Sequence, residues 1–271
     1  MNDTIQKRST NPVNLGSITT IAANVFREAI RDRIFYLVGA YAVFLVLALV
    51  MLPEIAGGAE DKMLVDFSLA ATTLIGLVAA ILLGTGLIKK EIEKRTILIL
   101  ASKPIGRSEL TVGKFLGLAS VIFVIDLAAT GFSLILLAIA GVSYNLGAIA
   151  LAALFLFLQL TVMVAVSLVF GVFTDFPVAV FLSFCIYFMG HFSRDLLRLG
   201  EETQNTAIEW VTTAFYTVLP DLARLDLKND AVYGLVAFPD TGTLLLNAAY
   251  GIVYTLFLLA LAIAIFSQKE F

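Results

Sequence analysis

The sequence predicts an all-α polytopic membrane protein with six transmembrane helices, and three observations carry that prediction. Of its 271 residues 60% are hydrophobic and 14% charged, whereas a soluble domain is about 45–50% apolar and about 25% charged. Several apolar runs reach the roughly 20 residues that a helix needs to cross about 30 Å of hydrocarbon. The alternation and turn spacing of a barrel are absent, so the backbone groups inside the bilayer must be satisfied within helices. A single transmembrane domain over residues 1–271 is expected, with no internal repeat and no low-complexity tract.

The first element is an N-terminal amphipathic interfacial helix over Ser17–Arg33. Ile18, Ile21, Ala22, Val25, Phe26, Ala29 and Ile30 fall on one helical face, and Asn24, Arg27, Glu28, Arg31 and Asp32 on the other. Ser17 is the expected N-cap. Such a helix lies at the headgroup boundary, as an anchor or with its polar face against a partner. The first sixteen residues are polar and the first apolar run is a full span, so no cleavable signal is expected.

Six spans follow, at about 34–52, 67–88, 115–140, 147–173, 177–193 and 243–266. Pro53 is expected to end the first. Gly141 and Asn145 mark the turn after the third, and Thr174-Asp175-Phe176-Pro177 the turn after the fourth. The fifth span is short. Residues 194–242 form an external segment that is moderately apolar and acidic. Within it Ile208–Leu219 is too short to cross, and its Trp210, Phe215 and Tyr216 suit a membrane surface. The segment reads as a lid over the spans or as part of an outer gate.

Charge sets the orientation. With the N-terminus and the Lys89–Lys114 loop on one side, that side holds thirteen of the eighteen Lys and Arg residues. The positive-inside rule places it, and both termini, in the cytoplasm, in agreement with an even number of spans. The loop itself, KKEIEKRTILILASKPIGRSELTVGK, reads as helix, turn, helix. Glu91 and Arg95 sit at i, i+4 in the favourable order. Pro104 stops the first helix, and Ser108 can cap the second. The apolar stretch Ile97–Ala101 lies outside the bilayer and needs cover, from the N-terminal helix, a second copy or another protein.

Few residues carry candidate chemistry. Asp126 and Gln159 are polar at mid-span. Ionisable groups there are costly and mark function by default, but interhelical hydrogen bonds are the common outcome. Asp126 can pair with Gln159, Thr130 or a neighbouring subunit, or relay protons. Cys185, Met189 and His191 lie within seven residues, but only the first two share a helical face, so a structural role is expected over a soft-metal site. No catalytic residue, bound cofactor or metal ligand is assigned, and no nucleic-acid partner is expected. No phosphate loop is present: Ser108–Phe115, SELTVGKF, has Ser where Gly is required and Phe115 where Ser or Thr would hold magnesium.

The stretch EIEKRTILILASKPIGRSELTVGKFLGL resembles the segment after the second span in permeases of the type-2 ABC exporter family. The matching positions are Glu91, Glu93, Thr96, Leu100, Pro104, Ile105, Arg107, Gly113 and Lys114, with Arg95 where many relatives have Gly. LPDLARLDLK at Leu219–Lys228 resembles an external motif of copper-processing-type and related bacterial permeases. The resemblance implies a permease subunit in a bacterial inner membrane that pairs with a second copy. It also implies a separate ABC-type ATP-binding subunit, which would bind ATP and magnesium. Glu91, Glu93, Arg95, Thr96, Pro104, Ile105 and Arg107 would then belong to a cytoplasmic coupling helix seated on that ATPase. Two other functions remain: a mechanical transmitter to an external partner, and an ion-driven carrier. A carrier would be expected to show internal symmetry and several intramembrane charges.

Overall fold

The computed structural model describes residues 15–31, 35–55, 57–93, 106–203 and 206–268, and among them there is no strand. The helices are α1 (Leu15–Arg31), α2 (Phe35–Ile55), α3 (Glu60–Glu93), α4 (Arg107–Ile139), α5 (Leu146–Phe173), α6 (Phe176–Glu202), α7 (Thr206–Val218), α8 (Lys228–Tyr233) and α9 (Thr241–Gln268), with 3-10 turns at Leu222–Arg224 and Leu235–Ala237. Among the described residues six helices are long and apolar enough to cross a membrane: α2 to α6 and α9. The protein is an all-α polytopic membrane protein.

Helix α5 is the centre of the bundle. It packs against α3, α4, α6, α8 and α9, and Leu160 to Val169 are buried without interruption. Between apolar helices in lipid there is little hydrophobic drive, so close approach through small residues sets the packing. Gly84 of α3 faces Ser167 of α5, where a Cβ would stand 2.6 Å from the serine's own Cβ. Helix α2 is peripheral, with Val43, Leu47, Val50 and Met51 exposed as a lipid-facing surface would be. One polar group ties it to the bundle. The Tyr41 hydroxyl meets the hydroxyls of Thr72 (2.7 Å) and Ser133 and lies 3.2 Å from the Ala129 carbonyl.

Several boundaries differ from the sequence-based expectation. Leu15 and Gly16 are already helical in α1, so Ser17 lies inside the helix and does not cap it. Pro53 does not end α2: the helix runs through it to Ile55, and the bond given up is the one its N–H would have donated to the Leu49 carbonyl. Helix α3 begins at Glu60, earlier than expected, with Glu60 and Asp61 in the first turn where carboxylates favour the helix dipole. The N-cap of α4 is Gly106 in an extended conformation, so Ser108 is already helical. The short fifth span is the front part of a helix that continues to Glu202. Asp175 is its N-cap, and Pro177 lies in the first turn, where a missing N–H is harmless.

Candidate functional site

Two places in the bundle bring together residues that apolar spans alone do not require. The first is the end that carries α1. The apolar face foreseen for this helix is the one it buries, with Ile18, Val25 and Ala29 inside. Its partner is α4, and α1 on α4 is the most extensive helix pair in the fold. Gly113 and Gly117, spaced i, i+4, form the floor. A Cβ on Gly113 would stand 2.8 Å from Ile21 Cβ, and one on Gly117 would stand 2.8 Å from the Ala22 carbonyl oxygen. Only glycine permits this approach. The first three turns of α4 are therefore locked to α1.

The Lys89–Lys114 loop connects at this same end. Glu91 and Glu93 lie in the last turn of α3, and Arg107 is the first residue of α4. Arg95, Thr96, Pro104 and Ile105, with Ile97–Ala101, lie outside the described residues.

Asp126 and Gln159 are both buried, at 5% and 1% exposure. They lie at matching depth, each about 20 Å from the far end of its helix, but they do not pair. Asp126 Oδ1 and, one turn on, Thr130 Oγ1 are buried without a hydrogen-bond partner among the described residues. The Gln159 amide turns instead toward α6 and the chain after α7. Its Nε2 stands 3.0 Å from His191 Nε2 and donates to the Leu222 carbonyl at 3.5 Å.

The second place is this far end, where the chain after α7 re-enters the bundle. Leu219, Leu222, Leu225, Leu227 and Ala231 are all buried. The plug, residues 219–228, packs on α6 and touches α5 and α9. Room for it comes from Gly190, where a Cβ would lie 2.7 Å from the Pro220 carbonyl oxygen, and from Gly251 beside Leu225. Irregular backbone among spans is tolerated only where its polar groups are satisfied. Here side chains of the spans do this. Tyr250 accepts from the Asp221 N–H at 2.8 Å, Tyr254 donates to the Val218 carbonyl at 2.8 Å, and Gln159 reaches the Leu222 carbonyl.

Two charge clusters fix the plug. Asp221, 2% exposed, accepts from Arg194 Nε at 2.8 Å and Arg224 Nε at 2.9 Å. Arg224 also donates to the Tyr216 hydroxyl at 2.9 Å and lies over the Tyr250 ring. The bonds to Asp221 and Tyr216 raise the Arg224 pKa further. At Asp226, Oδ2 lies 2.7 Å from Lys228 Nζ and 3.4 Å from His191 Nε2. Burial pushes this carboxyl up, but the His191 bond and the charge and bonds of Lys228 outweigh it and hold the carboxyl at about 2.

Sequence reasoning singled out Asp126 and Gln159 because they interrupt apolar runs. It missed Tyr41, the Asp221 knot and the pairing of His191 with Asp226. Tyr41 had the same signal, a hydroxyl inside an apolar run that needs a partner. The pairing had none, since the two residues belong to separate elements.

Comparison with curated proteins finds no match. The model of the family described as ABC-2 family transporter protein matches residues 19–271, nearly the whole chain and both places just described. That family provides the membrane-embedded subunit of ABC transporters, not the ATPase. The chain belongs to the ABC-2 transporter family.

Proposed function

We propose that this chain is the permease subunit of an ATP-driven exporter in a bacterial inner membrane, with the α1 end and both termini in the cytoplasm. Two copies pair around the transport path. A separate ABC-type ATP-binding subunit carries ATP and magnesium and engages the Lys89–Lys114 loop through Glu91, Glu93, Arg95, Thr96, Pro104, Ile105 and Arg107. The observation that carries this reading is the lock of α1 on α4 through Gly113 and Gly117, which begins within the last residues of the loop. A push on the loop then displaces α1 and α4 as one body. The plug at the opposite end lies where an exported solute would leave.

The test is the chain co-expressed with its ATPase in inside-out vesicles. Arg107→Glu and Pro104→Ala are expected to lower stimulated ATP hydrolysis and solute uptake by about tenfold or more, with the thermal midpoint of the permease unchanged. Co-purification and hydrolysis at wild-type levels would count against the reading. Full stimulation with no solute moved would favour a force transmitter to an external partner.

A further inference from the structure

His191 is the single histidine of the chain, and its two ring nitrogens do different work. Nδ1 lies 3.0 Å from the Tyr187 carbonyl oxygen. A carbonyl only accepts, so Nδ1 carries a hydrogen. Nε2 faces two groups with opposite demands. Gln159 Nε2, whose donor character is fixed by the Leu222 carbonyl at 3.5 Å, stands 3.0 Å away. Asp226 Oδ2 stands 3.4 Å away. A neutral imidazole presents a lone pair at Nε2: it accepts from Gln159 and repels the carboxylate. An imidazolium presents an N–H there: it donates to Asp226, and the Gln159 donor must withdraw. Neither state satisfies both neighbours.

We propose that His191 is a proton-binding site that fastens the 219–228 plug to the bundle: the bound proton moves Nε2 from its bond with α5 to an ion pair with Asp226 on the plug. Imidazole is the side chain whose charge ordinarily changes between pH 5 and 8, and the Asp226 carboxylate stays ionised throughout that range. Asp230 on α8 feels the Asp226 charge, and Arg224 on the plug is engaged by Asp221 and Tyr216. Lys228 shares the same Asp226 oxygen at 2.7 Å and opposes a second positive charge. The Tyr187 ring lies against the imidazole, tilted by 51° with ring centroids 4.4 Å apart. On α3, Asp61 bonds Ser143, Lys62 lies over the Tyr233 ring, and Asp66 is exposed. On α6, Arg194 is engaged by Asp221, and Asp195 and Arg198 are exposed. On α7, Glu209 is exposed. The fastening holds whether or not the plug gates transport.

The test uses the full chain in nanodiscs, purified on a tag without histidine, with the histidine ring carbon labelled for NMR. One imidazole signal is expected to titrate. Asp226→Asn moves its midpoint down by about one pH unit, and Lys228→Met moves it up. Hydrogen-exchange protection of residues 222–228, corrected for intrinsic rates, rises about tenfold as the imidazole charges. His191→Gln, which keeps a donor beside Asp226 at every pH, removes that pH dependence. An unmoved midpoint in both charge variants, or a titrating imidazole with constant plug protection in the wild-type chain, would overturn the proposal.

Discussion

At the scale of single residues, this protein places its few buried charges where each meets a counter-charge or stands out for lacking one. Asp221 is almost fully enclosed while Arg194 and Arg224 keep part of their surface in solvent. Asp221→Ala would leave the Arg194 and Arg224 guanidinium groups facing each other with no carboxylate between them. A loss of about 2–4 kcal/mol is expected, read as a fall of several degrees in the thermal midpoint in detergent. Asp226 gives a pH limb of known sign. Its carboxyl sits below its ordinary value of 3.8, at about 2. The stabilisation is therefore complete above the ordinary value and lost as pH falls from about 4 toward about 2. Exchange protection of the plug should drop across that window in the wild-type chain and not in Asp226→Asn. Asp126 is the opposite case, a buried carboxyl that meets no counter-charge among the described residues and whose Oδ1, like that of Asp221, finds no hydrogen-bond donor there. If it relays protons or contacts solute, Asp126→Asn should lower transport about tenfold with stability retained. Full transport by that variant would make it a structural group.

At the scale of elements, two contacts decide what the helices can do. The α1–α4 lock depends on two positions without a Cβ. Gly117→Leu should drive the helices apart by the width of a side chain. A disulfide engineered between neighbouring positions of the two helices would form readily in the wild-type background and fail in the variant. Helix α7 is the second case. Thr212 packs on Gly200 and Tyr216 joins the Asp221 knot, while Ile208, Trp210, Val211, Phe215 and Val218 are exposed. That outward face suits lipid at the interface. Trp210 is the only tryptophan, so intrinsic fluorescence reports this helix alone. Quenching by brominated lipid should exceed quenching by aqueous iodide. The reverse order would place α7 in water.

At the scale of the whole molecule, the two candidate sites lie at opposite ends of one bundle, with α5 between them. This is the arrangement that transmission across a membrane needs, and orientation is its first test. In a Cys185→Ala background, Asn229→Cys should react with an impermeant maleimide from outside, and Ser17→Cys only after the membrane is opened. The opposite labelling would invert the topology and move the loop away from any cytoplasmic ATPase.

Much of this was legible in the sequence. Runs of about 20 apolar residues specify spans because hydrocarbon leaves the backbone no partner but itself. The 3.6-residue period specifies the buried face of α1 because the period is local. The unequal distribution of Lys and Arg gives a predicted side, and the loop motif gave the family that residues 19–271 match. Helix ends were less legible: Pro53 and Ser108 carry real signals, but neighbouring residues in the last or first turn overrode them. The tertiary structure alone decided that the stretch after α7 folds back among the spans. It also decided that Gln159 serves His191 and Leu222 rather than Asp126, and that one imidazole lies between α5 and Asp226. These pairings join residues 32 and 63 positions apart, and no local pattern of hydropathy or charge encodes which distant polar group will satisfy another. That choice is made by packing, where leaving a buried polar group unpaired costs about 1–3 kcal/mol.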